Sequence, residues 1–415
     1  MTDTARPDNA QQAIRAFLEQ TRDDQVRFLA ELVKVPSDNP PGDCAPHAER
    51  AAELLEAMGL TVERHPVPAD LVRANGMVTA TNLIVRRRFG DGPTVALNAH
   101  GDVVPPGEGW TRDPYGAEVV DGWMYGRGVA VSKSDFVTYT YALLALEKAG
   151  LDRGTVELHL TYDEEAGGEI GPKWLLDEGL TRPDFAIAAG FSYGVVTAHN
   201  GCLHLEVEVT GKSAHAALPM TGIDALEATT AILGALYEHR KGYADTVSAV
   251  DGIGSPQLTV GLIKGGINTN VVPDRVTLRL DRRMIPEEAP ETVEADVRAV
   301  IADAAKAFPQ ARVEVRRILL ARPLTPLPGT DRLAGILCAH ASRVMGEPVE
   351  TKGVPLYTDA RHYSDAGVPI ALFGAGPHTI EEANAHRADE RLPLSDLFKA
   401  TEVVALSLLD LLGQG

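Results

Sequence analysis

The sequence predicts an α/β protein in which a mixed, mostly parallel sheet is sandwiched by helices and carries an inserted ferredoxin-like α+β domain. Two observations support this fold class. In both end portions of the chain, short apolar strands alternate with helices, as in parallel sheets covered by helices. In the middle portion, strands alternate apolar with polar residues, which is typical of antiparallel strands with one exposed face. We expect a discontinuous main domain at 1–199 and 319–415, and an inserted domain at 200–318.

The elements of the main domain follow from apolar spacing and from residues that end helices. A first helix has its apolar positions at 14, 17, 18, 26, 29 and 33, and Pro36 ends it. Gly59 and Gly150 end the helices predicted over 45–58 and 136–150. The remaining predicted elements are strands at 94–99, 155–162, 184–189 and 369–374, and helices at 171–180, 330–345 and 394–412.

The inserted domain is predicted from the order of its elements. A strand at 201–211 is followed by a helix at about 222–240, strands at about 256–264 and 275–284, a helix at about 288–306 and a strand at 311–318. The order β-α-β-β-α-β defines a ferredoxin-like unit.

The composition argues against several classes of partner. Lys and Arg number 39 against 58 Asp and Glu, a formal charge of −19, whereas nucleic acid and anionic membranes attract basic surfaces. No apolar run approaches the roughly 20 residues that span a bilayer. The start, MTDTARPDNAQQ, has no secretory signal pattern, and the three cysteines form no CxxC pair. We therefore expect a cytoplasmic protein that binds neither nucleic acid nor membrane.

Polar residues that can bind a metal follow several of the predicted strands. LNAHGDVVP (97–105) places His100 and Asp102 just past a strand, at the sheet edge where open α/β folds bind ligands. His100 can bind a metal while Asp102 orients its ring. In isolation, an HxD sequence is more often a strand end with a hydrogen-bonded histidine.

A second motif, YDEEAGG (162–168), places two adjacent carboxylates after the next strand. Two buried acids side by side repel unless a cation or a shared proton compensates them. One carboxylate could bind a metal while the other transfers protons. Further along, His386 is a second candidate imidazole ligand. His100, Glu165 and His386 together form a ligand set that suits one catalytic zinc ion with an open position.

Seven motifs occur in order along nearly the whole chain: HGDVVPPGEGWTRDPY (100–115), GWMYGRG (122–128), DEEAGG (163–168), GKSAHAALP (211–219), GGINTNVVP (265–273), TDARH (358–362) and AHRADE (385–390). In order and spacing they resemble the family of zinc amidohydrolases and exopeptidases that includes acetylornithine deacetylase, succinyl-diaminopimelate desuccinylase and aminoacylase. The resemblance implies a catalytic main domain and an inserted lid domain that joins two chains into a homodimer. It also implies hydrolysis of an amide bond in a small carboxylate-bearing substrate, such as an N-acyl amino acid or a small peptide.

The resemblance assigns a role to each matching residue. His100 would bind one metal ion with Asp102 as its supporting carboxylate. Glu164 would be the general base, and Glu165 and His386 would bind the second ion. In the inserted domain, His215 would stabilise an oxyanion in the partner subunit's site. Asn270 and Arg361 would hold the substrate's carboxylate or backbone, a task that suits an arginine's forked donors.

The chain departs from the family's pattern at two metal ligands. Val131 stands where a carboxylate bridges both ions, since the flanking GRG and Lys133 keep their register. Gly190 stands where a second acid follows the strand after the DEE motif. Without these ligands two dications would repel each other with less compensation, so a two-zinc centre is not expected. Ser132 and Lys133 would lie beside the carboxylates, and the register places Asp135 one helical turn away.

Three functions remain open from the sequence. In the first, His100, Glu165 and His386 bind one ion, zinc or else manganese or cobalt, and Glu164 acts as the base of an amide hydrolase. In the second, no metal binds and Glu164 serves as the base of an isomerase, racemase, lyase or metal-free hydrolase. In the third, the protein binds a small molecule without catalysis.

Overall fold

The computed structural model describes residues 5–413, so part of the amino-terminal segment considered above, Met1–Thr4, lies outside the described residues. The chain forms two compact units. The first comprises the chain up to Thr197, Pro326–Lys352 and the chain from Thr358, and the second comprises Ala198–Thr325 with Gly353–Tyr357. Among the described residues, no helix is long and apolar enough to cross a membrane.

The described residues form twelve α-helices and fifteen strands. The helices are α1 Ala5–Gln20, α2 Arg22–Val33, α3 Ala45–Ala57, α4 Ala69–Ala74, α5 Lys133–Lys148, α6 Pro172–Asp177, α7 Ala225–His239, α8 Pro290–Ala305, α9 Thr330–Met345, α10 Ala360–Asp365, α11 Ile380–Ala383 and α12 Leu394–Gly413. The strands are β1 Val62–Pro66, β2 Thr81–Arg88, β3 Thr94–His100, β4 Glu118–Val120, β5 Trp123–Tyr125, β6 Thr155–Thr161, β7 Phe185–Ala188, β8 Val195–His199, β9 Gly201–Thr210, β10 Gln257–Gly265, β11 Arg275–Met284, β12 Arg312–Ala321, β13 Thr351–Val354, β14 Ile370–Leu372 and β15 Arg391–Pro393.

The large sheet has the strand order β1-β2-β6-β3-β7-β14-β8-β13. Its centre is parallel, because β6, β3, β7 and β14 pair in one direction. Antiparallel strands flank this centre, with β1 and β2 on one side and β8 on the other. The predicted mixed sheet flanked by helices is therefore confirmed.

Two helices of the first unit bear on the prediction and on the site. The single helix expected before Pro36 is two helices separated by Thr21. The hydroxyl of Thr21 donates to the carbonyl oxygen of Phe17 at 2.9 Å. Helix α5 is buried along most of its length, packs against α12 and β3, and begins directly after Ser132. A helix buried on nearly all sides must keep its polar first turn, Lys133 to Asp135, inside the protein.

The second unit contains a four-stranded antiparallel sheet of order β10-β11-β9-β12, which α7 and α8 cover. Its elements follow the predicted β-α-β-β-α-β order. The buried positions of β9 alternate: Leu203 and Leu205 pack in the core under the helices, while His204 and Glu206 are partly exposed on the other face. This period of two is what an antiparallel strand with one covered face requires.

Candidate active site

The parallel strands of the first unit bring several loops to one edge of the sheet. His100 is the last residue of β3, the 163–168 loop follows β6, Gly190 follows β7, and Gly374 follows β14. Because these four strands are parallel neighbours, their carboxyl ends meet, and this is the edge where open α/β folds bind ligands.

Asp102 is completely buried and organises this edge. Its carboxylate accepts hydrogen bonds from the Asn39 side chain at 3.0 Å and from the backbone N–H groups of Glu164 at 3.2 Å and Glu165 at 3.1 Å. His100 Nδ1 lies 3.0 Å from the carbonyl oxygen of Asp102, which selects the tautomer with a lone pair on Nε2. Asp102 therefore contacts both the histidine and the carboxylate loop, whereas the sequence predicted a contact with the histidine alone.

Glu164 and Glu165 lie on a short 3-10 turn, Glu164–Ala166, and share one cluster with His100. Each of the three side chains offers a ligand atom, and these atoms lie within 4.8 Å of one another. Burial favours the neutral His100 ring, but the charges of Glu164, Asp102 and Glu165 outweigh it and raise the pKa of His100 well above its usual range. The cluster is therefore an environment that favours a cation.

Glu164 has the protonation behaviour expected of a general base. Burial raises the pKa of its carboxyl to about 7, with Glu165 and Asp102 adding to the rise and His100 opposing it. A base is most effective when its pKa lies near the working pH. Glu164 is thus able to accept and return a proton near neutrality.

His386 completes the donor set on the exposed side. Its side chain is 65% exposed, and Nε2 lies 3.3 Å from Glu165 Oε1. Nitrogen and oxygen ligands of a tetrahedral zinc ion are about 3.4 Å apart, given metal–ligand distances of about 2.1 Å. The 3.3 Å spacing of His386 and Glu165 therefore suits two ligands of one divalent ion, while His100 shares its cluster with Glu164 and Glu165.

The polar residues next to Val131 form hydrogen bonds with the backbone. The Ser132 hydroxyl accepts from the N–H of His100 at 2.8 Å and lies 3.1 Å from its carbonyl oxygen, to which it donates. The Lys133 ammonium donates to the carbonyl oxygen of Val35 at 3.2 Å. Burial lowers the pKa of Lys133 to about 8, against the opposing effect of nearby carboxylates. Both side chains are therefore engaged in holding the loop and the start of α5.

Asp135 lies at the ends of β7 and β14. Its Oδ1 accepts from the N–H of Ala375 at 2.8 Å, and Oδ2 is buried without a hydrogen-bond partner among the described residues. The nearby N–H groups of Ala375 and Gly190 lower the pKa of this carboxyl, but burial dominates and raises it to about 8. A glycine is required at 374, because a Cβ atom there would collide with the Asp135 carboxyl. Asp135 thus reaches the ends of the two strands beside Gly190.

Arg361 and a carboxylate that the sequence analysis did not single out, Asp359, lie behind the loop. The buried guanidinium of Arg361 donates to the carbonyl oxygen of Gly167 and lies 3.6 Å from Glu169 Oε1. Asp359 is 4% exposed, and neither of its carboxylate oxygens has a hydrogen-bond partner among the described residues. Burial, followed by the charge of Glu164, raises the pKa of Asp359 well above its usual range. Its place in the TDARH motif was the one available signal.

His215 and Asn270 belong to the second unit, where they are neighbours. The N–H of Ala216 donates to the carbonyl oxygen of Asn270 at 3.0 Å, and His215 Nδ1 accepts from the N–H of Ala217 at 3.1 Å. Both residues are exposed. The structure therefore brings together two groups of predicted site residues: His100, Asp102, Glu164, Glu165 and His386 in the first unit, and His215 with Asn270 in the second.

Comparison with known proteins agrees with this arrangement. The model of peptidase family M20/M25/M40 matches residues 96–410. A succinyl-diaminopimelate desuccinylase of Rhodospirillum centenum is 28% identical over 399 residues, which cover 92% of this chain and 95% of that protein. An acetylornithine deacetylase of Myxococcus xanthus is 28% identical over 372 residues, covering 89% and 92%. Among solved structures, an M20 family metallo-carboxypeptidase of Sulfolobus solfataricus matches with a TM-score of 0.76 at 17% identity, covering 94% of this chain and 99% of that chain, and supports the fold.

Proposed function

The chain belongs to peptidase family M20/M25/M40, and on this premise we propose that it hydrolyses the amide bond of a small carboxylate-bearing substrate, such as an N-acyl amino acid or a small peptide. The family shows a hydrolase of amide bonds that uses a divalent metal. The finer part of the proposal is that one ion is bound, with zinc as the first choice. The observation that supports it is the cluster of His100, Glu164 and Glu165, with His386 3.3 Å from Glu165 and a base with a pKa of about 7.

The metal ligands in this proposal are neutral His100, the carboxylate of Glu165 and neutral His386. When bound, the ion supplies Lewis acidity that polarises the amide carbonyl. The charges around His100 that favour its protonated form in the free protein equally favour a divalent cation in its place. Binding therefore releases protons from the imidazoles, since both rings must offer a lone pair.

Glu164 carries the proton transfers. It accepts a proton from the attacking water and delivers it to the leaving nitrogen, which a carboxyl with a pKa near 7 can do in both directions. The backbone of Glu164 is held by the Asp102 carboxylate at 3.2 Å, so its position is fixed independently of the substrate. We expect this fixed position of Glu164 to contribute as much to the rate as its basicity does.

Substrate binding is proposed for Arg361 and Asn270, and oxyanion stabilisation for His215 across a homodimer. The exposure of His215 and Asn270 is consistent with contacts to groups outside their own unit. Strand β10 supports the dimer, because it is an edge strand whose Leu262 and Ile263 are 60% and 53% exposed. An exposed apolar edge strand is a template for pairing with another chain, here a second copy.

A metal-free enzyme with Glu164 as the base is the second candidate function. The observation in its favour is the replacement of two metal carboxylates by Val131 and Gly190, while the proton-transferring groups remain. Such an enzyme would abstract a proton next to the substrate's carboxylate. The two candidates differ in a property that is measured directly, which is their dependence on the ion.

The test combines metal analysis with activity on a library of N-acyl amino acids and dipeptides. Elemental mass spectrometry should find about one equivalent of zinc more per chain in the wild type than in His386→Ala with Glu165→Gln, and chelation should abolish turnover. Glu164→Gln should reduce kcat by about 10²- to 10⁴-fold, the range of general acid–base catalysis, without reducing metal content. Glu178→Gln, an exposed neighbour in the sequence, is the control. Equal metal content in the wild type and the double variant, with turnover that resists chelation, would establish the metal-free candidate instead.

A further inference from the structure

A second group of metal-binding side chains lies in the second unit. Cys202 and His204 are two residues apart on β9, and Asp281 lies directly opposite His204 on β11. Residues two apart on a strand share a face of the sheet. The intervening Leu203 and Leu205 pack in the core under α7 and α8, so the cluster lies on the face that these helices leave uncovered.

The spacing of the three side chains matches a tetrahedral zinc site. His204 Nε2 lies 3.0 Å from Asp281 Oδ2, Cys202 Sγ lies 3.7 Å from the same oxygen, and all three ligand atoms lie within 4.8 Å of one another. With ordinary zinc–ligand distances, the expected separations are about 3.4 Å for nitrogen to oxygen and about 3.6 Å for sulfur to oxygen. Small side-chain adjustments would therefore close the site around an ion.

The charge of Asp281 is secured by its neighbours. His204 and Arg283 both contact its carboxylate, with His204 Nε2 3.0 Å from Oδ2. Arg283 Nε donates to Asp281 Oδ1 at 2.9 Å, while Nη2 reaches Oδ2 at 3.1 Å. An ion that binds Oδ2 would displace the Nη2 bond and the 3.2 Å contact of Nε with the same oxygen, but not the Nε bond to Oδ1. Arg283 would keep the first and orient the ligand, as partners of metal-binding carboxylates do.

The cluster is open to solvent on one side. The side chains of His204 and Asp281 are 34% and 29% exposed, while Cys202 is buried. An ion could therefore enter from the solvent side, bind the buried sulfur of Cys202 and keep a water molecule as its fourth ligand. Sulfur, imidazole and carboxylate together favour zinc over magnesium or calcium, which prefer oxygen ligands.

We propose that Cys202, His204 and Asp281 bind one zinc ion in the second unit, in addition to the ion proposed for the first unit. Binding forms a bond from the Cys202 thiolate to the ion and releases the thiol proton to solvent. The residues of the two sites are entirely different, so each site can be removed without altering the ligands of the other.

Cobalt substitution tests this inference, because only a thiolate ligand gives Co²⁺ an intense sulfur-to-metal charge-transfer band in the near ultraviolet. Titration of the metal-depleted full-length chain with Co²⁺ should produce this band, and in His386→Ala with Glu165→Gln, which lacks the proposed active-site ligands, it should saturate with one equivalent. Cys202→Ser should abolish the band. His386→Ala with Glu165→Gln should keep it, which separates this site from the proposed active site. Cys44→Ser and Cys338→Ser are the matched controls and should keep the band.

Two results would overturn the proposal: no charge-transfer band in the wild type at saturating Co²⁺, or a band of full intensity in Cys202→Ser. If Cys202→Ser does not fold, His204→Gln provides the second variant, and it should weaken Co²⁺ binding at least tenfold while leaving the thiol in place. Unchanged affinity in His204→Gln would equally contradict the assignment.

Discussion

The polar side chains of the two walls of the candidate active site have different partners. The acidic wall consists of the residues that the 100–102 and 163–168 loops contribute: His100, Asp102, Glu164 and Glu165. The remodelled wall consists of the residues around the two missing ligands: Val131, Ser132, Asp135 and Gly190. In the acidic wall, a buried carboxylate orients side chains that cluster within 4.8 Å of one another. In the remodelled wall, the polar side chains bond to the backbone of β3 and of the loop after β14.

The difference is that the polar side chains of the remodelled wall are packed and hydrogen-bonded to backbone. Ser132 ties the loop to His100, and the Asp135 carboxyl takes the backbone N–H groups at the strand ends. A wall whose polar groups are committed to backbone stabilises the scaffold and offers little to an ion. We therefore expect mutations in the acidic wall to reduce activity, and mutations in the remodelled wall to reduce stability.

The largest expected effect is on the acidic wall. Asp102→Asn replaces a carboxylate that accepts three N–H donors with an amide whose NH₂ must face one of them. Loss of a residue that orients metal ligands costs about 10- to 100-fold in metal affinity or activity, and we expect the upper end for kcat/KM here. Zinc affinity, measured by competition with a chromophoric chelator, should fall in parallel.

Ser132→Ala is the matched variant on the remodelled wall. It removes a buried hydroxyl that bonds to the backbone of His100. The variant should therefore have a lower melting temperature than the wild type, while its kcat/KM stays close to the wild-type value. A loss of kcat/KM larger than that of Asp102→Asn would show that the distinction between the walls is wrong.

The second expected effect is a change in the number of bound ions. Val131→Asp combined with Gly190→Asp places carboxylates in the remodelled wall, and Asp135→Asn ensures that no ionisable carboxyl at 135 competes with the new side chain at 190. A Cβ atom at Gly190 would lie 3.1 Å from the backbone nitrogen of Phe373, so the neighbours must yield by only a few tenths of an ångström. Elemental analysis should find one more equivalent than in the wild type.

The control for this triple variant carries Asn at 131 and 190 in place of Asp, with the same Asp135→Asn change. It has the same volume without the charge, so its metal content should equal that of the wild type. If the Asp variant is folded by circular dichroism and gains no ion, the missing carboxylates do not explain the proposed single-ion site.

The sequence predicted the acidic wall because its information is local. His100 and Asp102 follow a strand pattern directly, and the two glutamates follow the next strand, so strand ends alone place them together. The position of Asp135 depends on Ala375, which is 240 residues away in the chain, and on a glycine at 374 that makes room for it. The same holds for Asp359, whose burial beside Glu164 no local pattern reveals. Register placed Asp135 one turn along the helix but could not show where its carboxyl is directed.

The last expected effect concerns the charge of Asp135 and is seen in stability rather than in activity. Its pKa is raised to about 8 in the folded protein, against about 3.9 in an unfolded chain. The folded state therefore binds the proton more tightly, so this stabilisation is fully present below about pH 4 and is lost as the pH rises to about 8. Asn resembles the protonated acid and can still accept from the N–H of Ala375. As the pH rises through this window, the wild type should lose stability relative to Asp135→Asn. The difference in the free energy of unfolding should grow by about 1.4 kcal/mol per pH unit and then stay constant at higher pH.

Urea unfolding of both proteins between pH 5 and pH 9 measures this difference, with the exposed Asp70→Asn as a control that should show no such slope. A gap between Asp135→Asn and the wild type that does not change with pH would mean that Asp135 has its charge throughout this range. The remodelled wall would then hold a permanent anion at the ends of β7 and β14, and the contrast between the two walls would be one of position rather than of charge. In that case Asp135 itself, and not Val131 or Gly190, would be the residue to test as a substitute metal ligand.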